Sequence, residues 1–235
     1  MKPVVIALVC KTPAAGHSKT RLSPPLRPEE CAALSACFIR DVAAKVQSLV
    51  AGGAVDACAV YTPVGSEAAL RELLPPGFAL RAQSKGDLGV RMATAVADLL
   101  AAGHEGVIVI GSDSPTMPVA ILREAIDAVH AGDNVVLGPV LDGGYALIGL
   151  SRPHPRLFED MPWSTPDVHA LTVERAREIG LPVVNLPRWY DVDDAASFAM
   201  LEDEMRGIVP DFAEAGLKGS AAPATFEFLR GRRRL

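Results

Sequence analysis

The stretch "GVIVIGSDSPTMP", residues 106–118, joins a short apolar run to a carboxylate. β-Branched residues between two glycines are typical of a strand that is buried on both faces, as the strands of parallel sheets are. Asp113 follows the end of this predicted strand. An acid at that point either hydrogen-bonds the backbone amides of the turn at Ser114 to Thr116 or binds a cation. The stretch alone leaves both interpretations open.

Predicted strands and helices alternate along the rest of the chain. Apolar runs predict strands at residues 3–10, 54–62, 78–82, 106–111, 134–140, 143–150 and 181–187. Helical periodicity and capping residues predict one helix from Pro28 to the Gly52-Gly53 pair and others at residues 66–73, 87–103, 118–131, 166–179 and 194–205. This order predicts a single-domain α/β fold, with a mixed, mostly parallel sheet and helices on both faces. In such sheets ligands bind beyond the carboxyl ends of the strands.

We expect one domain over residues 1–205, followed by an extension, residues 206–235, that packs on it or is partly flexible. The extension ends in the basic tail "RGRRRL", which is typical of a solvated terminus. The opening "MKPVVIALVCK" has too short an apolar run for a membrane span. The sequence leaves the oligomeric state open, because no exposed apolar stripe can be told from the core.

Composition restricts the partners and the compartment. The 235 residues carry a formal net charge of -5, so the chain has no global attraction for nucleic acid or anionic lipid. Any phosphate binding must therefore be local. The four cysteines show neither a CxxC pair nor zinc-ligand spacing with histidine. Cys10, Cys31 and Cys58 lie among apolar residues and are expected in the core, which predicts a reducing, cytoplasmic setting.

The loop after the first predicted strand, "KTPAAGHSKTRL", residues 11–22, is rich in cations. It contains three cations and one glycine that allows close backbone approach, namely Lys11, Lys19, Arg21 and Gly16. This set predicts a clamp for a diphosphate or a triphosphate, with a solvated basic loop as the alternative. A P-loop is excluded, because Ser18 and Pro13 stand where its pattern requires glycine.

A second acidic cluster, "RWYDVDDAASF", residues 188–198, follows the last predicted strand. Either Asp193 or Asp194 is expected to cap the helix that starts at residue 194. If the strand ends converge, Asp113 and one of Asp191 and Asp193 would make a site of hard oxygen ligands. Mg2+ or Mn2+ prefers one or two carboxylates together with phosphate oxygens and water. These acids are therefore the predicted metal ligands.

The stretch "GPVLDGGYALIGL", residues 138–150, carries a third candidate group. Gly143 and Gly144 allow either a tight turn between two strands or a close approach of the backbone to a ligand. Asp142, beside them, either belongs to that turn or takes the proton of an acceptor hydroxyl as a general base.

Six stretches occur together in the order of one bacterial family: "KTPAAGHSKTRL", "QSKGDLGVRM", "GSDSPTMP", "GPVLDGGYALIGL", "MPWSTPDV" and "WYDVDD". Over residues 3–200 the chain resembles GT-A-fold transferases that are labelled nucleotide-diphospho-sugar transferase or arsenosugar-biosynthesis glycosyltransferase. It is more distantly similar to 2-phospho-lactate guanylyltransferase and to the molybdenum-cofactor nucleotidyltransferases. The resemblance implies a nucleotide-diphospho-sugar transferase fold, with a nucleotide and a divalent cation, Mg2+ or Mn2+, at the strand ends.

The resemblance also implies the residues that contact the nucleotide. They are Lys19 and Arg21 at the phosphates, and Gln83, Leu88 and Gly89 near the base. Gln83 suits a base edge, because its amide both donates and accepts hydrogen bonds. Trp163, in the quoted "PWST", either stacks on a sugar face or packs against a loop.

The resemblance places Asp113 on the metal, but the chain departs from a common pattern beside it. Many sugar transferases carry an Asp-x-Asp metal motif, whereas Gly111 stands at the first of these positions. The second ligand must come from elsewhere, and the choice between Asp191 and Asp193 stays open.

Three functions are compatible with these motifs. The first is transfer of a sugar from a nucleotide-sugar donor to a small acceptor, with Asp113 at the metal and Asp142 as the base. The alternative is nucleotidyl transfer, in which a nucleoside triphosphate joins a small phosphate- or carboxylate-bearing substrate and releases pyrophosphate. The third is a nucleotide-binding module without turnover. This fold hosts both sugar transfer and nucleotidyl transfer, so the fold alone does not decide between them. The family resemblance favours the first function.

Overall fold

The computed structural model describes residues 2–53 and 55–232, which fold around one sheet of seven strands. The strands are β1 (Val4–Lys11), β2 (Val55–Thr62), β3 (Ala79–Ala82), β4 (Val107–Gly111), β5 (Val135–Pro139), β6 (Tyr145–Leu150) and β7 (Val183–Asn185). The α-helices are α1 (Pro28–Val50), α2 (Glu67–Arg71), α3 (Leu88–Ala101), α4 (Val119–His130), α5 (Val168–Glu178), α6 (Ala195–Glu204) and α7 (Pro223–Arg232). Met1, Ala54 of the second predicted strand, and residues 233–235 of the basic tail lie outside the described residues.

The sheet confirms the predicted mixed, mostly parallel fold. Its strand order is β3-β2-β1-β4-β6-β5-β7. Strand β6 runs antiparallel to both of its neighbours, β4 and β5, whereas the other strand pairs are parallel. The adjacent strands predicted at 134–140 and 143–150 are β5 and β6, and they are the point at which the alternation of strand and helix stops.

Helices cover both faces of the sheet, as predicted. Successive side chains of a strand point to opposite faces. Ile6 and Ile108 pack in the apolar layer that includes side chains of α1, α4 and α7. Val5 and Val107 pack in the opposite layer, which includes side chains of α3 and α5. Burial on both faces explains why β1 and β4 are near-continuous runs of Val, Ile and Leu.

A crevice forms where the strand order reverses, between β1 and β4. These two strands are parallel neighbours, with Val9 opposite Gly111. From β1 the chain continues to β2 and β3 on one side, whereas β4 lies on the other side. The connections that leave the carboxyl ends of β1 and β4 therefore diverge, which leaves space for a ligand between them. Both the cationic loop and the turn that carries Asp113 start at this crevice.

The C-terminal helix α7 packs against α1 and differs from the sequence-based prediction, which gave no helix there. Its buried side chains are Thr225 and Leu229, so a polar residue occupies part of the buried stripe and obscures the helical pattern. Asp41 of α1, which is 2% exposed, accepts hydrogen bonds from the backbone amides of Ala224 (2.9 Å) and Thr225 (2.8 Å). A carboxylate at this place pairs with the free amides of the first turn of α7.

All four cysteines are buried and free of disulfides. Within the part of the chain that the structure describes, none of the helices combines the length and the apolar character that crossing a membrane requires.

Substituting Asp41 by alanine should lower the free energy of unfolding by about 2–3 kcal/mol, because three hydrogen bonds to a buried carboxylate are lost while their donors stay at the same interface. Urea unfolding of the full chain measures this change. The matched control is Asp127→Ala, which removes an exposed carboxylate from α4 and should change stability by less than about 0.5 kcal/mol. Equal effects of the two substitutions would mean that Asp41 does not anchor α7.

Candidate functional site

The ammonium group of Lys19 lies at the centre of the crevice. Its Nζ donates hydrogen bonds to Asp193 Oδ1 at 2.7 Å and to the backbone oxygen of Val192 at 2.8 Å. The same atom is 2.9 Å from Asp113 Oδ1, and the side chain is only 7% exposed. The cation-rich loop after β1, the turn after β4 and the segment before α6 therefore meet at one buried charge.

The two carboxylates keep Lys19 charged. Burial alone would lower the pKa of this lysine, but the neighbouring Asp113 and Asp193 more than offset that effect, so its pKa lies above the usual value. The ring of Phe38 lies beneath the ammonium, with 5.6 Å between Nζ and the ring centroid. Lys19 thus neutralises part of the charge of Asp113 and Asp193. It also lines a cavity at the cation-rich loop, where the sequence predicts phosphate binding.

The turn after β4 is held by partners other than its own carboxylate. The backbone amide of Val192 donates to the backbone oxygen of Asp113 at 2.8 Å. Lys45 of α1, which is buried, donates to the backbone oxygen atoms of Pro115 and Met117. The hydrogen bonds of the Asp113 carboxylate within the described residues come from Ser112 and Lys19 rather than from the turn amides. Asp113 therefore pairs with a cationic side chain of the protein rather than with the turn amides.

In the second acidic cluster, one aspartate caps α6 and the others line the cavity. Asp194 is the cap of α6, because its Oδ1 accepts a hydrogen bond from the Ser197 amide at 2.8 Å. That bond, together with the Ser197 hydroxyl, lowers the pKa of Asp194. The Ser197 hydroxyl oxygen in turn accepts from the amide of Asp193 at 3.0 Å. Asp193 is therefore left free of capping, and its carboxylate contacts Lys19 instead.

Asp191 faces the cavity among other carboxylates. Burial raises its pKa to about 7, and the negative charges of Asp193, Asp142 and Asp113 add to that rise. The acids of three separate segments therefore converge closely enough for one to affect the ionisation of another.

Two connected cavities form one cleft along the crevice. We call the first the cationic half: it has a volume of about 440 Å³, and its charged walls include Lys11, Lys19, Arg21 and Arg91. We call the second the acidic half: it has a volume of about 330 Å³, and its charged walls are Asp113, Asp142, Asp191, Asp193 and Arg21. Arg21, Leu88, Asp113 and Asp193 line both halves. The cleft thus changes from positive to negative along its length.

Of the three residues implied for the nucleotide base, Gln83 and Leu88 line the cleft and Gly89 does not. Gln83 lines the cationic half, but its Nε2 already donates to the backbone oxygen atoms of Cys10 and Val60, and its Oε1 accepts from Arg91. Leu88 lines the cleft and is partly exposed. Gly89 does not line either half. A Cβ at Gly89 would lie 2.3 Å from the backbone oxygen of Phe158, so this glycine is needed for close packing against the loop that carries Trp163.

Gly16 also lies outside the walls of both halves. It is exposed, and it has a positive φ of 73° in the turn that precedes Lys19. Lys11, by contrast, lines the cationic half, where its Nζ donates to the backbone oxygen of His17 at 3.1 Å. The loop therefore presents side chains to the cavity, whereas its glycine shapes the backbone.

The third candidate stretch forms the turn between β5 and β6. Asp142 Oδ1 accepts a hydrogen bond from the amide of Gly144 at 2.8 Å, and both residues line the acidic half. Gly143 has a positive φ of 89°, and a Cβ there would lie 2.1 Å from the backbone oxygen of Pro166. Gly143 thus packs against the Trp163 loop rather than lining the cavity. Asp142 takes part in the turn and also faces the cavity.

Trp163 lines the acidic half and is half-buried. Its ring meets that of Tyr145 edge to face, with 6.4 Å between centroids and 81° between planes. Nearby, Ser164 has a positive φ of 65° and also lines the cleft. The loop between β6 and α5 thus supplies an aromatic wall and a polar edge to the same cavity.

The acids suit a divalent cation that a polyphosphate shares. Asp113 and Asp193 contact Lys19 through their Oδ1 atoms, so their Oδ2 atoms can still bind a cation. Across residues 2–53 and 55–232, no group of three or more His, Cys, Asp or Glu side chains forms a complete metal site. Mg2+ commonly binds one or two carboxylates and completes its shell with phosphate oxygens and water. The donor set therefore fits an ion that binds together with a nucleotide.

Comparisons with known proteins identify the family of the chain and support its fold. A family model described as "Uncharacterized protein conserved in bacteria (DUF2064)" matches residues 45–165, and the chain belongs to this family. A crystal structure from Desulfovibrio desulfuricans G20, provisionally named a nucleotide-diphospho-sugar transferase, is similar over 100% of this chain and 96% of its own, with 27% identity and a TM-score of 0.84. These matches confirm the resemblance seen in the motifs. No curated protein matches the chain.

Two further solved structures share the fold at low identity. One is CMP:2-keto-3-deoxy-manno-octonic acid synthetase complexed with CTP, which matches 87% of this chain and 99% of its own with 11% identity and a TM-score of 0.56. The other is a cytidylyltransferase from Leptospira borgpetersenii serovar Hardjo-bovis (strain JB197), which matches 100% of this chain and 96% of its own with 12% identity and a TM-score of 0.52.

Sequence analysis missed several residues that line the cleft, and it missed Lys45, which supports the turn after β4. Arg91 lies within the quoted "QSKGDLGVRM", yet a single arginine on a helix is usually solvated, so its contact with Gln83 was not anticipated. Lys45 lies among apolar residues of α1, and an isolated lysine in an apolar stripe was the available signal for a buried role. Ser112 and Ser164 carried no signal of their own.

Lys45 predicts a pH dependence of stability. Burial lowers its pKa from 10.5 to about 7, against the opposing effect of Asp41 and Glu204. The unfolded chain therefore binds this proton more readily than the folded chain, so stability is lost as the pH falls from above 10.5 towards 7. Relative to Lys45→Met, the wild-type free energy of unfolding should rise by about 2 kcal/mol from about pH 7 to about pH 9.

Urea unfolding of the wild type and of Lys45→Met at several pH values between about 7 and about 9 measures the difference in their free energies of unfolding. Taking the difference cancels the contribution of groups that titrate equally in both proteins. Lys85→Met, which removes an exposed lysine, is the control and should give a difference that is flat with pH. A flat difference for Lys45→Met as well would mean that the buried lysine keeps an ordinary pKa.

Proposed function

We propose that the protein is a metal-dependent transferase that takes a sugar from a nucleotide-sugar donor and attaches it to a hydroxyl of a small acceptor. The observation that carries the proposal is the division of charge within one cleft at the β1–β4 crevice. Four Lys and Arg side chains line one half, four Asp side chains line the other, and Asp113 and Asp193 belong to both. Sugar transfer uses both environments, because the cationic half suits the charged diphosphate of the donor and the acidic half can accept hydrogen bonds from the acceptor hydroxyl.

The cationic half is suited to the donor diphosphate. Lys11, Arg21 and Arg91 line it, and guanidinium and ammonium groups form strong charge-assisted hydrogen bonds with phosphate oxygens. Lys19 contributes at the boundary, where it also balances Asp113 and Asp193. Leu88 offers an apolar surface against which a base could pack, whereas the amide of Gln83 is engaged in bracing β1, β2 and Arg91.

Asp113 and Asp193 would hold Mg2+ or Mn2+ together with the phosphate oxygens, and Asp191 lies close enough to assist. A divalent cation supplies neutralisation of the charge that develops on the leaving diphosphate. Lys19 and Arg21 support the same charge from the protein side. Four buried thiols suit a reducing compartment such as the cytoplasm.

The transfer itself requires a base near the acceptor. The bond between the anomeric carbon and the diphosphate oxygen breaks, and the nucleoside diphosphate leaves with its electrons. The acceptor oxygen forms the new bond and gives its proton to Asp142, which lines the acidic half. Trp163, which lines the same half, provides an apolar face for the sugar or the acceptor.

The name of the Desulfovibrio desulfuricans G20 protein supports sugar transfer, since it matches the chain over its whole length. Nucleotidyl transfer is the second candidate. The number of cations in the first half favours it, because four Lys and Arg side chains also suit a triphosphate. A nucleotide-binding module without turnover is the third, and it does not require Asp142 to act as a base.

Product analysis distinguishes these candidates. The full chain is incubated with Mg2+ or Mn2+ and separately with nucleoside triphosphates and with sugar nucleotides, in the presence of a pool of small hydroxyl compounds. Release of nucleoside diphosphate from a sugar nucleotide is the expected result. Pyrophosphate release from a triphosphate supports the second candidate instead, and binding without any product supports the third.

Asp113→Asn should weaken metal-dependent nucleotide binding by about 10-fold or more, because the metal loses a charged ligand. The fold should persist, since the amide oxygen of asparagine can still accept from Lys19 and Ser112. Calorimetric titration with and without Mg2+ measures the binding, and thermal unfolding checks the fold. Asp127→Asn, on the exposed face of α4, is the matched control. Unchanged metal-dependent binding would remove Asp113 from the site.

A further inference from the structure

We propose that the acidic half selects an acceptor that carries hydroxyl groups but no phosphate or carboxylate. The acceptor is uncharged or cationic, with a carbon framework that packs on an apolar wall, as in a sugar or a polyol. This inference rests on the proposed function, because it assigns the acceptor of the same cleft. It goes beyond that function by stating which of two chemical classes of acceptor the cleft accepts.

The first support is the charge of the walls. The acidic half is lined by four aspartates, Asp113, Asp142, Asp191 and Asp193, and by one cationic side chain, Arg21. Arg21 also lines the cationic half, so a bound diphosphate competes for it. Proteins bind phosphate and carboxylate groups with Arg and Lys side chains, and the acidic half has no such residue of its own among its described lining.

A bound metal ion does not reverse this conclusion. Lys19 already balances one of the two charges of Asp113 and Asp193, and a divalent cation held by these acids would arrive with a diphosphate that carries several negative charges. Asp142 would still face the cavity with its negative charge. A phosphate on the acceptor, with about −1.5 to −2 charges at neutral pH, would therefore meet like charges without a partner.

The second support is the apolar wall. Trp163 and Tyr145 meet edge to face, and Leu147 and Val168 also line the cavity. Aromatic faces of this kind pack against the C–H groups of a carbon framework. Carboxylates around such a wall accept hydrogen bonds from hydroxyl or ammonium groups. The combination therefore matches a hydroxyl-bearing compound with a non-polar face.

This inference separates the two candidate reactions. The nucleotidyl-transfer candidate requires an acceptor that carries a phosphate or a carboxylate. The acidic half opposes such an acceptor, whereas it favours the hydroxyl acceptor of sugar transfer. The electrostatic character of this cavity therefore gives a criterion that the shared fold does not give.

Charged quenchers of Trp163 fluorescence test the cavity without any knowledge of the acceptor. The chain has two tryptophans, and Trp189 is only 1% exposed, so diffusing quenchers act mainly on Trp163. Quenching by caesium and by iodide is compared at constant ionic strength, with Mg2+ and a nucleoside diphosphate present. Caesium should quench at least about 3-fold more efficiently than iodide, after normalisation to free tryptophan.

Variants of the full chain assign the effect to named side chains. Asp142→Asn should lower the caesium-to-iodide ratio, whereas Asp167→Asn, which removes an exposed carboxylate that does not line the cavity, should leave it unchanged. Trp163→Phe should abolish most of the quenching. Equal quenching by the two ions, or stronger quenching by iodide, would overturn the proposal.

Paired acceptors give the chemical test. Glycerol is compared with glycerol 3-phosphate, and glucose with glucose 6-phosphate, as acceptors with the sugar nucleotide that the cleft binds most tightly. The uncharged member of a pair should react at least about 10-fold faster, which corresponds to about 1.4 kcal/mol. A phosphate ester that reacts as fast or faster would refute the acceptor class. If no sugar nucleotide binds, the proposed function itself fails, while the quenching result still reports on the cavity.

Discussion

One buried ammonium group holds the candidate site together. Lys19 contacts Asp113 in the turn after β4 and both Val192 and Asp193 in the segment before α6. A charge that is removed from water is costly unless opposite charges and hydrogen-bond acceptors surround it. Lys19 can therefore be buried only if three segments, two of them separated by 173 residues, come to the same place. The position of this lysine and the shape of the cleft depend on each other.

The same contact explains why the cleft changes sign along its length. Lys19 leaves Lys11 and Arg91 on one side and Asp142 and Asp191 on the other, while Arg21 lines both halves. The parallel order of β1 and β4 brings the two loops to one edge of the sheet, and the antiparallel β6 brings the β5–β6 turn to that edge as well. The mixed sheet is thus the reason that Asp142 reaches the site, since a parallel strand would begin at the opposite edge.

The sequence predicted the sheet well, because strands buried on both faces are continuous apolar runs and helices alternate with them. It also predicted that acids and cations lie at strand ends. It did not predict that Lys19 would pair with Asp113 and Asp193, because such a pairing depends on tertiary distance alone. Local chemistry likewise could not choose between Asp193 and Asp194 as the α6 cap. In α7, Thr225 occupies a buried position and conceals the helix.

Lys19 also bears on how a metal ion would reach the site. Asp113 and Asp193 together carry two negative charges, and the ammonium of Lys19 balances one of them. Under the proposed function, the remaining charge attracts a free divalent cation only weakly, whereas an ion already bound to a polyphosphate brings most of its ligands with it. The cationic half then attracts the phosphates. A single lysine that the fold must pair with two acids thus favours binding of the metal and the nucleotide as one complex.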